Sequence, residues 1–300
     1  MASPEPSPSR ILKKSPSTTS DNDHKAIGAA KETLTSIPRK RNAFSEMMAP
    51  KPKHLKKDTP DSSSASKAAS AKPQSNFQTG LLRYITEPAS FPAGTIVRQT
   101  EHTILIRDLY PKALVHLLLM PRDPAFYNLT PSEAFNPQDE THTAFLELMR
   151  EEAASAAKLA ASELSRLVSP YSESSKARNE ALEAEDPPSE LPPGRDFLPD
   201  IKIGVHARPS MSTLHIHIIS VDLYSKCLKH RKHYQSFASP FFVSLDDLPL
   251  MEEDNLMDPV EQEHVLKGDM GCWRCGRNFG NKFKQLKDHL EEEYLEWRKT

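Results

Sequence analysis

Two histidines lie two residues apart in the segment STLHIHIIS, residues 212–220. The segment is rich in β-branched and apolar residues, which predicts a β-strand. Alternate residues of a strand share a face, so we expect Thr213, His215 and His217 to point one way and the residues between them to point into the core. Two imidazoles on one strand face indicate either an exposed polar surface or a site that handles protons, because the pKa of histidine is about 6.5.

Two further histidines lie close enough in sequence to join this pair. His116 lies within ALVHLLLMP, a predicted buried strand that ends at Pro121, and His206 lies in VHARPSMS just upstream of the pair. A neutral imidazole can act as a nucleophile or carry a proton, so a cluster of histidines is a candidate catalytic site. A satisfied core histidine is the alternative for His116, and the spacing alone leaves both interpretations open.

A second group of reactive residues lies near the C-terminus. Cys272 and Cys275 are separated by two residues, and His289 follows after a further thirteen. A helix predicted over residues 283–298 carries His289, and one turn further on the same face is Glu293. Two thiolates, an imidazole and a carboxylate are all zinc ligands, so we predict a structural Zn²⁺ site of the Cys₂-His-Glu type.

The fourth ligand of this site has alternatives in the sequence, namely Glu291, Glu292, water or the more distant His264. The same segment is rich in basic residues and carries an aromatic residue, which favours contact with a nucleic-acid backbone over a merely solvated basic face. These residues are Trp273, Arg274, Arg277, Lys282, Lys284 and Lys287.

The segments between these groups predict an α+β fold. FQTGLLRYI indicates a short amphipathic helix, and residues 94–111 indicate two strands joined by a turn. Apolar residues at helical spacing predict a long helix over residues 139–167. An acidic, Pro-rich segment at about 170–198 reads as a loop insertion, and a further strand follows within FLPDIKIGVHARPS.

The N-terminal quarter of the chain differs from the rest in composition. Residues 1–76 are rich in Ser, Pro, Lys and Ala and show no apolar period, so we predict disorder. The first 75 residues hold 14 Lys and Arg against 7 Asp and Glu, although the whole chain has a net charge of −2. The basic clusters PRKRNAF and PKPKHLKK within it favour nuclear import or attraction to DNA, the alternative being a solvated tail.

Composition also excludes several classes of protein. The 300 residues contain no run of 18 apolar residues, so we expect no membrane-spanning helix, and MASPEPSPSR lacks the apolar core of a signal peptide. Three cysteines, two of them in CWRC, argue against a disulfide scaffold and for a reducing compartment.

Three longer motifs carry a resemblance to a known family. LYPKALVHLLLMP, HARPSMSTLHIHIIS and CLKHRKHYQSF, followed by the finger-like C-terminus, resemble the histidine triad superfamily and, within it, the aprataxin family. The resemblance implies an antiparallel sheet with helices on one side and a small zinc finger packed against it. It also implies a phosphoanhydride hydrolase of DNA repair, which removes AMP from 5′-adenylated DNA ends and leaves a 5′-phosphate.

The resemblance assigns roles to the histidines. The family motif is His-φ-His-φ-His-φ-φ, where φ is apolar, and Thr213 replaces its first histidine. His215 matches the nucleophile that would carry AMP as an adenylyl-histidine. His217 and His116 would stabilise the transition state, while His206 would protonate the leaving group or contact the phosphate.

The resemblance also indicates binding residues around these histidines. Asp108 would bind the ribose, the alternative being a turn residue before Pro111, and the backbone of Ser210, Met211 and Ser212 would cradle phosphate. The expected DNA contacts are Lys232, Arg122, Tyr84, Arg274 and Lys284, with core packing as an equal alternative for Tyr84. We also expect nuclear import, a monomeric state and no membrane partner for this chain.

We therefore predict three regions: a disordered tail at 1–76, a catalytic domain at 77–244, and an acidic connector with a zinc finger at 245–300. Two other functions stay open. One is the hydrolysis of small adenylated compounds such as AMP-lysine or diadenosine phosphates, and the other is non-catalytic binding of DNA ends.

Overall fold

The computed structural model describes residues 79–250 and 258–300, all of which belong to one compact unit. The predicted disordered tail and its two basic clusters lie outside the described residues. In the described part of the chain, no helix is both long and apolar enough to cross a membrane.

Strands and helices alternate irregularly along the described residues, as in an α+β fold. The strands are β1 (Ile96–Gln99), β2 (Thr103–Arg107), β3 (His116–Pro121), β4 (Ile201–His206), β5 (Ile216–Ser220) and β6 (Phe242–Ser244). The helices are α1 (Leu82–Thr86), α2 (Pro131–Ala134), α3 (Glu140–Val168), α4 (Glu173–Glu183), α5 (Arg231–Ala238), α6 (Pro259–Lys267) and α7 (Phe283–Trp297).

The six strands form one antiparallel sheet in the order β1-β2-β3-β5-β4-β6. β3 and β5 are neighbours at its centre and are buried along their whole length. Their sequences, HLLLMP and IHIIS, are almost continuously apolar, which is the pattern of strands covered on both faces. The centre of the sheet is therefore a place where polar side chains are shielded from water.

The long helix α3 covers the first face of the sheet and confirms the helix predicted there. Asp139 caps its N-terminus by accepting the Thr141 N–H at 2.8 Å. Its buried residues recur every three or four positions, and this stripe packs on Leu117, Leu119 and their neighbours. Each large apolar side chain buried in this way contributes about 1.5–3 kcal/mol.

Helices also cover the second face, so the expectation of helices on one side only is wrong. Leu81 and α1 pack over Leu118 and Met120, while α5 packs over Ile219. The physical reason lies in β3 and β5, whose apolar side chains alternate to both faces and require cover on each.

The acidic segment at about 170–198 is not entirely a loop, so the expectation of a loop insertion there is wrong in part. Residues 173–183 form α4, whose N-terminus is capped by Ser172. ESSKARNEALE consists largely of good helix formers behind a serine cap, and the negative charge of the segment hides that signal.

The C-terminal finger consists of a tight cysteine turn and helix α7. Gly271 pairs with Asn278, and Gly276 adopts φ +72°, a left-handed conformation that favours glycine, so that the turn can close. Leu286, Leu290 and Trp297 form the buried side of α7. The helix predicted over residues 283–298 is confirmed.

Candidate functional site

The sheet register brings His116 and His217 to the same face. Leu118 lies opposite His217, and His116 lies opposite Ile219, so all four side chains point to the second face. The Nε2 atom of His116 is 2.9 Å from Nδ1 of His217. This hydrogen bond joins the two central strands through their imidazoles.

The partners of His116 determine where the protons of this pair lie. The backbone N–H of Lys112 donates to His116 Nδ1 at 3.2 Å, so the proton of the neutral ring is on Nε2 and is donated to His217. The Nε2 atom of His217 then carries the second proton. Asp108 Oδ2 lies 3.2 Å from His116 Nδ1, and its charge opposes only in part the lowering of the His116 pKa by burial.

His206 joins the pair from the neighbouring strand. It ends β4, and its ring centroid is 4.3 Å from that of His217. Gly204, opposite His217, lets β4 approach β6, because a Cβ there would lie 2.2 Å from the Val243 carbonyl oxygen. A glycine is required for this close packing beside the histidines.

His215 is held differently from the way the sequence suggested. β5 begins at Ile216, so Thr213 and His215 precede the strand, and the expected strand face of three residues is only partly correct. The Leu214 N–H donates to the carbonyl of Tyr127 at 2.7 Å, which takes this segment out of the ladder.

The backbone fixes the tautomer of His215. Its Nδ1–H donates to the Thr213 carbonyl at 2.7 Å, which leaves a lone pair on Nε2. The ring centroids of His215 and His217 are 4.9 Å apart. A neutral imidazole with a free Nε2 can attack an electrophile or accept a proton.

Burial keeps all four imidazoles uncharged. It lowers the pKa of His116 to about 4 and the pKa of His206 to about 3. Burial also lowers the pKa of His215, and it holds the pKa of His217 well below the ordinary value of 6.5. Much of this shielding comes from Phe237 of α5, whose ring lies 4.7–5.3 Å from those of three of the histidines.

Three buried polar atoms at this site have no hydrogen-bond partner among the described residues. They are His206 Nε2, His217 Nε2 and Thr213 Oγ1. A buried polar group without a partner costs free energy, so such atoms in a native site mark where a ligand or water binds. The first two belong to adjacent rings, whose centroids are 4.3 Å apart, so one ligand can contact both.

We expect Thr213→Val to raise the free energy of unfolding by about 1 kcal/mol, because valine has the shape of threonine and removes an unpaired buried hydroxyl. The hydrogen bond that orients His215 uses the carbonyl of residue 213 and is retained. Urea unfolding of the native and variant chains measures the difference. A variant that unfolds more easily would show that the hydroxyl has a stabilising partner.

The other residues expected around the histidines have different surroundings. Ser210 and Ser212 are exposed in the bend before β5, and Met211 packs against the side of the second face that α1 covers. Lys232 is exposed on the first turn of α5 and lies near Glu263. These residues thus lie outside the cluster of four imidazoles.

Two proposed DNA contacts also have partners within the chain. Arg122 Nη1 donates to the Thr100 carbonyl at 2.6 Å. Tyr84 stacks on Phe91 at 3.9 Å between ring centroids and packs on the second face. Core packing, the alternative for Tyr84, therefore contributes to its position.

Sequence reasoning did not identify Lys112 and Phe237 as parts of the site. Both lie within motifs that carry the resemblance, but only the structure shows that the Lys112 N–H fixes a tautomer. The ammonium of Lys112 lies near Asp108, and burial lowers its pKa.

The predicted metal ligands lie together in the finger. The ligand atoms of Cys272, Cys275, His289 and Glu293 all lie within 4.8 Å of one another. His289 Nε2 is 3.2 Å from Cys275 Sγ and 3.3 Å from Glu293 Oε1. The ligand atoms of a tetrahedral zinc site lie about 3.3–3.8 Å apart, so this donor set fits the ion.

The geometry favours Glu293 over the alternative fourth ligands. Glu292 lies 3.7 Å from Nδ1 of His289, on the opposite side of the ring from the cluster. His264 and Glu291 are not among the clustered residues. Arg274 donates to Glu293 Oε2 at 2.9 Å, so it orients the carboxylate while Oε1 faces the cluster.

The antiparallel sheet, the four histidines gathered at its centre and the separate metal-ligand cluster define a histidine triad protein with a zinc finger. A family described as the C2HE / C2H2 / C2HC zinc-binding finger matches residues 238–296. A second, described as scavenger mRNA decapping enzyme C-term binding, matches residues 191–233.

The most informative relatives are fungal. The aprataxin-like protein of Schizosaccharomyces pombe is 34% identical over 225 residues, which cover 74% of this chain and 83% of the relative. The aprataxin-like protein of Saccharomyces cerevisiae is 31% identical over 228 residues, 73% of this chain and 96% of the relative. The crystal structure of the aprataxin ortholog Hnt3 in complex with DNA has a TM-score of 0.56 and 31% identity, and covers 74% of this chain and 96% of that one. The chain belongs to the aprataxin family.

Proposed function

We propose that the chain hydrolyses 5′-adenylated DNA ends, with His215 as the nucleophile. The observation that carries the proposal is the hydrogen bond from His215 Nδ1–H to the Thr213 carbonyl, which leaves Nε2 unprotonated. Nε2 attacks the AMP phosphorus, a P–N bond forms, the phosphoanhydride P–O bond breaks, and the DNA leaves with a 5′-phosphate. Water then attacks the same phosphorus, the P–N bond breaks, AMP leaves, and the remaining proton passes to solvent.

His217, supported by His116, would stabilise the transition state. Negative charge develops on the phosphoryl oxygens, and preorganised donors are most effective where water is excluded. The proton assignment puts a donor on His217 Nε2, which is buried beside His206 Nε2. His116 holds the His217 tautomer, and His206 is the proposed contact to the leaving phosphate.

Asp108 is the proposed ribose ligand. The Tyr110 N–H donates to its Oδ1 at 2.7 Å, and its Oδ2 faces His116. The Tyr110 N–H fixes one oxygen of the carboxylate, which is thereby positioned to accept hydrogen bonds from sugar hydroxyls. The backbone of Ser210, Met211 and Ser212 is the proposed cradle for the phosphate that leaves.

Basic residues of the finger and of α5 would bind the DNA backbone. The solved relative in complex with DNA supports DNA as the partner. Lys284 is exposed on the first turn of α7 and pairs with Asp288 at 3.1 Å. Exposed ion pairs of this type are weak, so phosphate can replace the carboxylate. Arg274, Lys232, Arg122 and Tyr84 are the other proposed contacts.

Zn²⁺ is the proposed structural cofactor. When bound by Cys272, Cys275, His289 and Glu293, it would cross-link the cysteine turn to α7. The histidine site lies on the sheet, and the proposed chemistry uses imidazoles alone.

The pH dependence follows from the lowered pKa values. Because burial lowers the pKa of His215, its Nε2 stays unprotonated below pH 6.5. We expect the single-turnover rate to stay constant from neutral pH to below 6.5 and to fall only at lower pH. A decrease of the rate with a midpoint at or above pH 6.5 would contradict this.

The folded histidines also bind fewer protons than those of the unfolded chain, so the free energy of unfolding should decrease as the pH falls below 6.5.

The activity is tested by AMP release from a nicked duplex with a 5′-adenylate, compared with AMP-lysine. Release from the nick with the higher kcat/KM supports DNA end repair. Release from AMP-lysine alone would instead show a hydrolase of small adenylated compounds. Binding of the nick without release from either substrate would show a non-catalytic end-binding protein.

We also propose that the chain acts in the nucleus as a monomer. The basis for nuclear import is the pair of basic clusters at 38–44 and 50–57, which lie outside the described residues. A fluorescent fusion lacking residues 38–57 should lose nuclear accumulation, and light scattering should give the monomer mass of 33.7 kDa.

A further inference from the structure

Arg195, at the end of the acidic insertion, joins the finger helix to the sheet. Its Nη1 donates to the Trp297 carbonyl at 2.8 Å, and its Nη2 donates to Asp200 Oδ2 at 2.9 Å. The guanidinium also lies 4.7 Å from the Trp297 ring centroid and 4.8 Å from that of Phe197. The same carbonyl, at the C-terminus of α7, also accepts from the Thr300 N–H at 3.3 Å and from the Thr300 hydroxyl at 2.7 Å, so Arg195 adds a charged donor from the insertion to the donors of the last residue.

Asp200 closes this arrangement into a ring of three residues. Trp297 Nε1 donates to Asp200 Oδ1 at 3.2 Å, while the other carboxylate oxygen holds Arg195. We call Arg195, Asp200 and Trp297 the α7 anchor. Each member contacts the other two through a different atom pair, so the anchor fixes both the position and the rotation of the last turn of α7.

The anchor is continuous with the strands that carry the histidines. Asp200 immediately precedes β4, which ends at His206. The Asp200 carbonyl accepts the Val221 N–H at 2.9 Å, directly after β5. The last turn of the finger helix is therefore bonded to the ends of two strands of the catalytic site.

The same helix carries two of the finger's four metal ligands. Glu293 and His289 precede Trp297 by four and eight residues, or about 6 and 12 Å along the helix axis. Trp297 is buried in the main core together with residues of the sheet. A change of tilt at this turn would move the whole finger surface relative to the histidines.

We infer that Arg195 is a positioning residue that sets the finger against the histidine site, so that a DNA end held by the finger meets His215. This inference rests on the proposed function. It also gives the acidic insertion a role. A segment that would repel DNA here contributes a residue that holds α7 on the side where that helix packs on the sheet. Small adenylated compounds need only the histidines and should not depend on Arg195.

The test compares Arg195→Met with Arg178→Met. Methionine keeps an unbranched apolar stem against the two rings and removes the donors. Arg178 is the matched control, because it too donates to a backbone carbonyl, that of Pro192 at 2.9 Å, but this carbonyl belongs to the insertion and not to α7. We expect Arg195→Met to raise the KM for the adenylated nick at least about fivefold, a typical coupling between sites. Turnover of AMP-lysine should be unchanged, and Arg195→Lys should be intermediate.

An unchanged KM for the nick in Arg195→Met would overturn the inference, and so would an equal loss on both substrates. If the native chain releases no AMP from DNA, the proposed function fails separately. Hydrogen exchange in the zinc-loaded protein then tests whether the α7 anchor positions the finger helix. Faster exchange of residues 283–297 in Arg195→Met supports positioning, and exchange equal to that of Arg178→Met overturns it.

Discussion

Replacing His215 with alanine should reduce AMP release from an adenylated nick by about 10⁵-fold, the order of loss seen when a catalytic nucleophile is removed. The imidazole is the only group proposed to bond to phosphorus, and its Nδ1–H is already committed to the Thr213 carbonyl. Water attacking directly would have no covalent route and no equivalent activation. Single-turnover release of labelled AMP measures the effect.

Binding should survive this substitution, because the proposed DNA contacts lie on the finger, α5 and the surface around the site. His102→Ala is a suitable control, since that histidine is exposed at the turn between β1 and β2. It should retain native turnover. If His215→Ala turned over within about tenfold of the native rate, His215 would not be the nucleophile.

The second large effect concerns the finger. Cys272→Ser removes one of the four clustered ligands. In isolated zinc fingers the ion binds with a free energy of about 10–16 kcal/mol, and this energy stabilises the folded finger. We expect loss of bound zinc, faster hydrogen exchange over residues 270–293, and at least about tenfold weaker binding of nicked DNA through lost phosphate contacts. Turnover of AMP-lysine should fall much less, because the histidines lie on the sheet.

Cys227→Ser provides the matched control, since Cys227 is the third cysteine and lies outside the metal-ligand cluster. It should retain zinc and DNA affinity. Cys272 is also part of the second-face core, so some loss of Tm is expected in Cys272→Ser. Full zinc content in Cys272→Ser would contradict the ligand set, and unchanged DNA affinity after zinc loss would contradict the finger's role.

Patterns of local period and spacing were sufficient for the main elements. The apolar period predicted α3 to within one residue at each end, and the cysteine spacing with one helical turn predicted the donor set that the structure brings together. Both depend on neighbours close in sequence or on a regular helix. Such signals are present in a single sequence.

Features that depend on distant residues were not predictable in the same way. The shielding of His116 depends on Phe237, which lies more than a hundred residues further along the chain. The start of β5 at Ile216 depends on the Tyr127 carbonyl. The cover on both faces of the sheet likewise became evident only when the strands were paired.

The insertion shows how composition can hide structure. Its acidic and Pro-rich character predicted a loop, yet α4 forms and Arg195 joins its end to Trp297. The Trp297 contact spans 102 positions, so no local pattern indicates it. Its function could be inferred only after the finger and the sheet were seen in one structure.

The central step of the proposed mechanism is the formation of a covalent bond between His215 and AMP. A single turnover on a nick labelled at the AMP phosphorus, quenched in alkali and digested, tests for it. Alkali preserves a P–N bond. We predict label on the peptide containing His215, which forms and decays at rates that account for AMP release. Full AMP release with no labelled protein, or label on another residue, would contradict the mechanism.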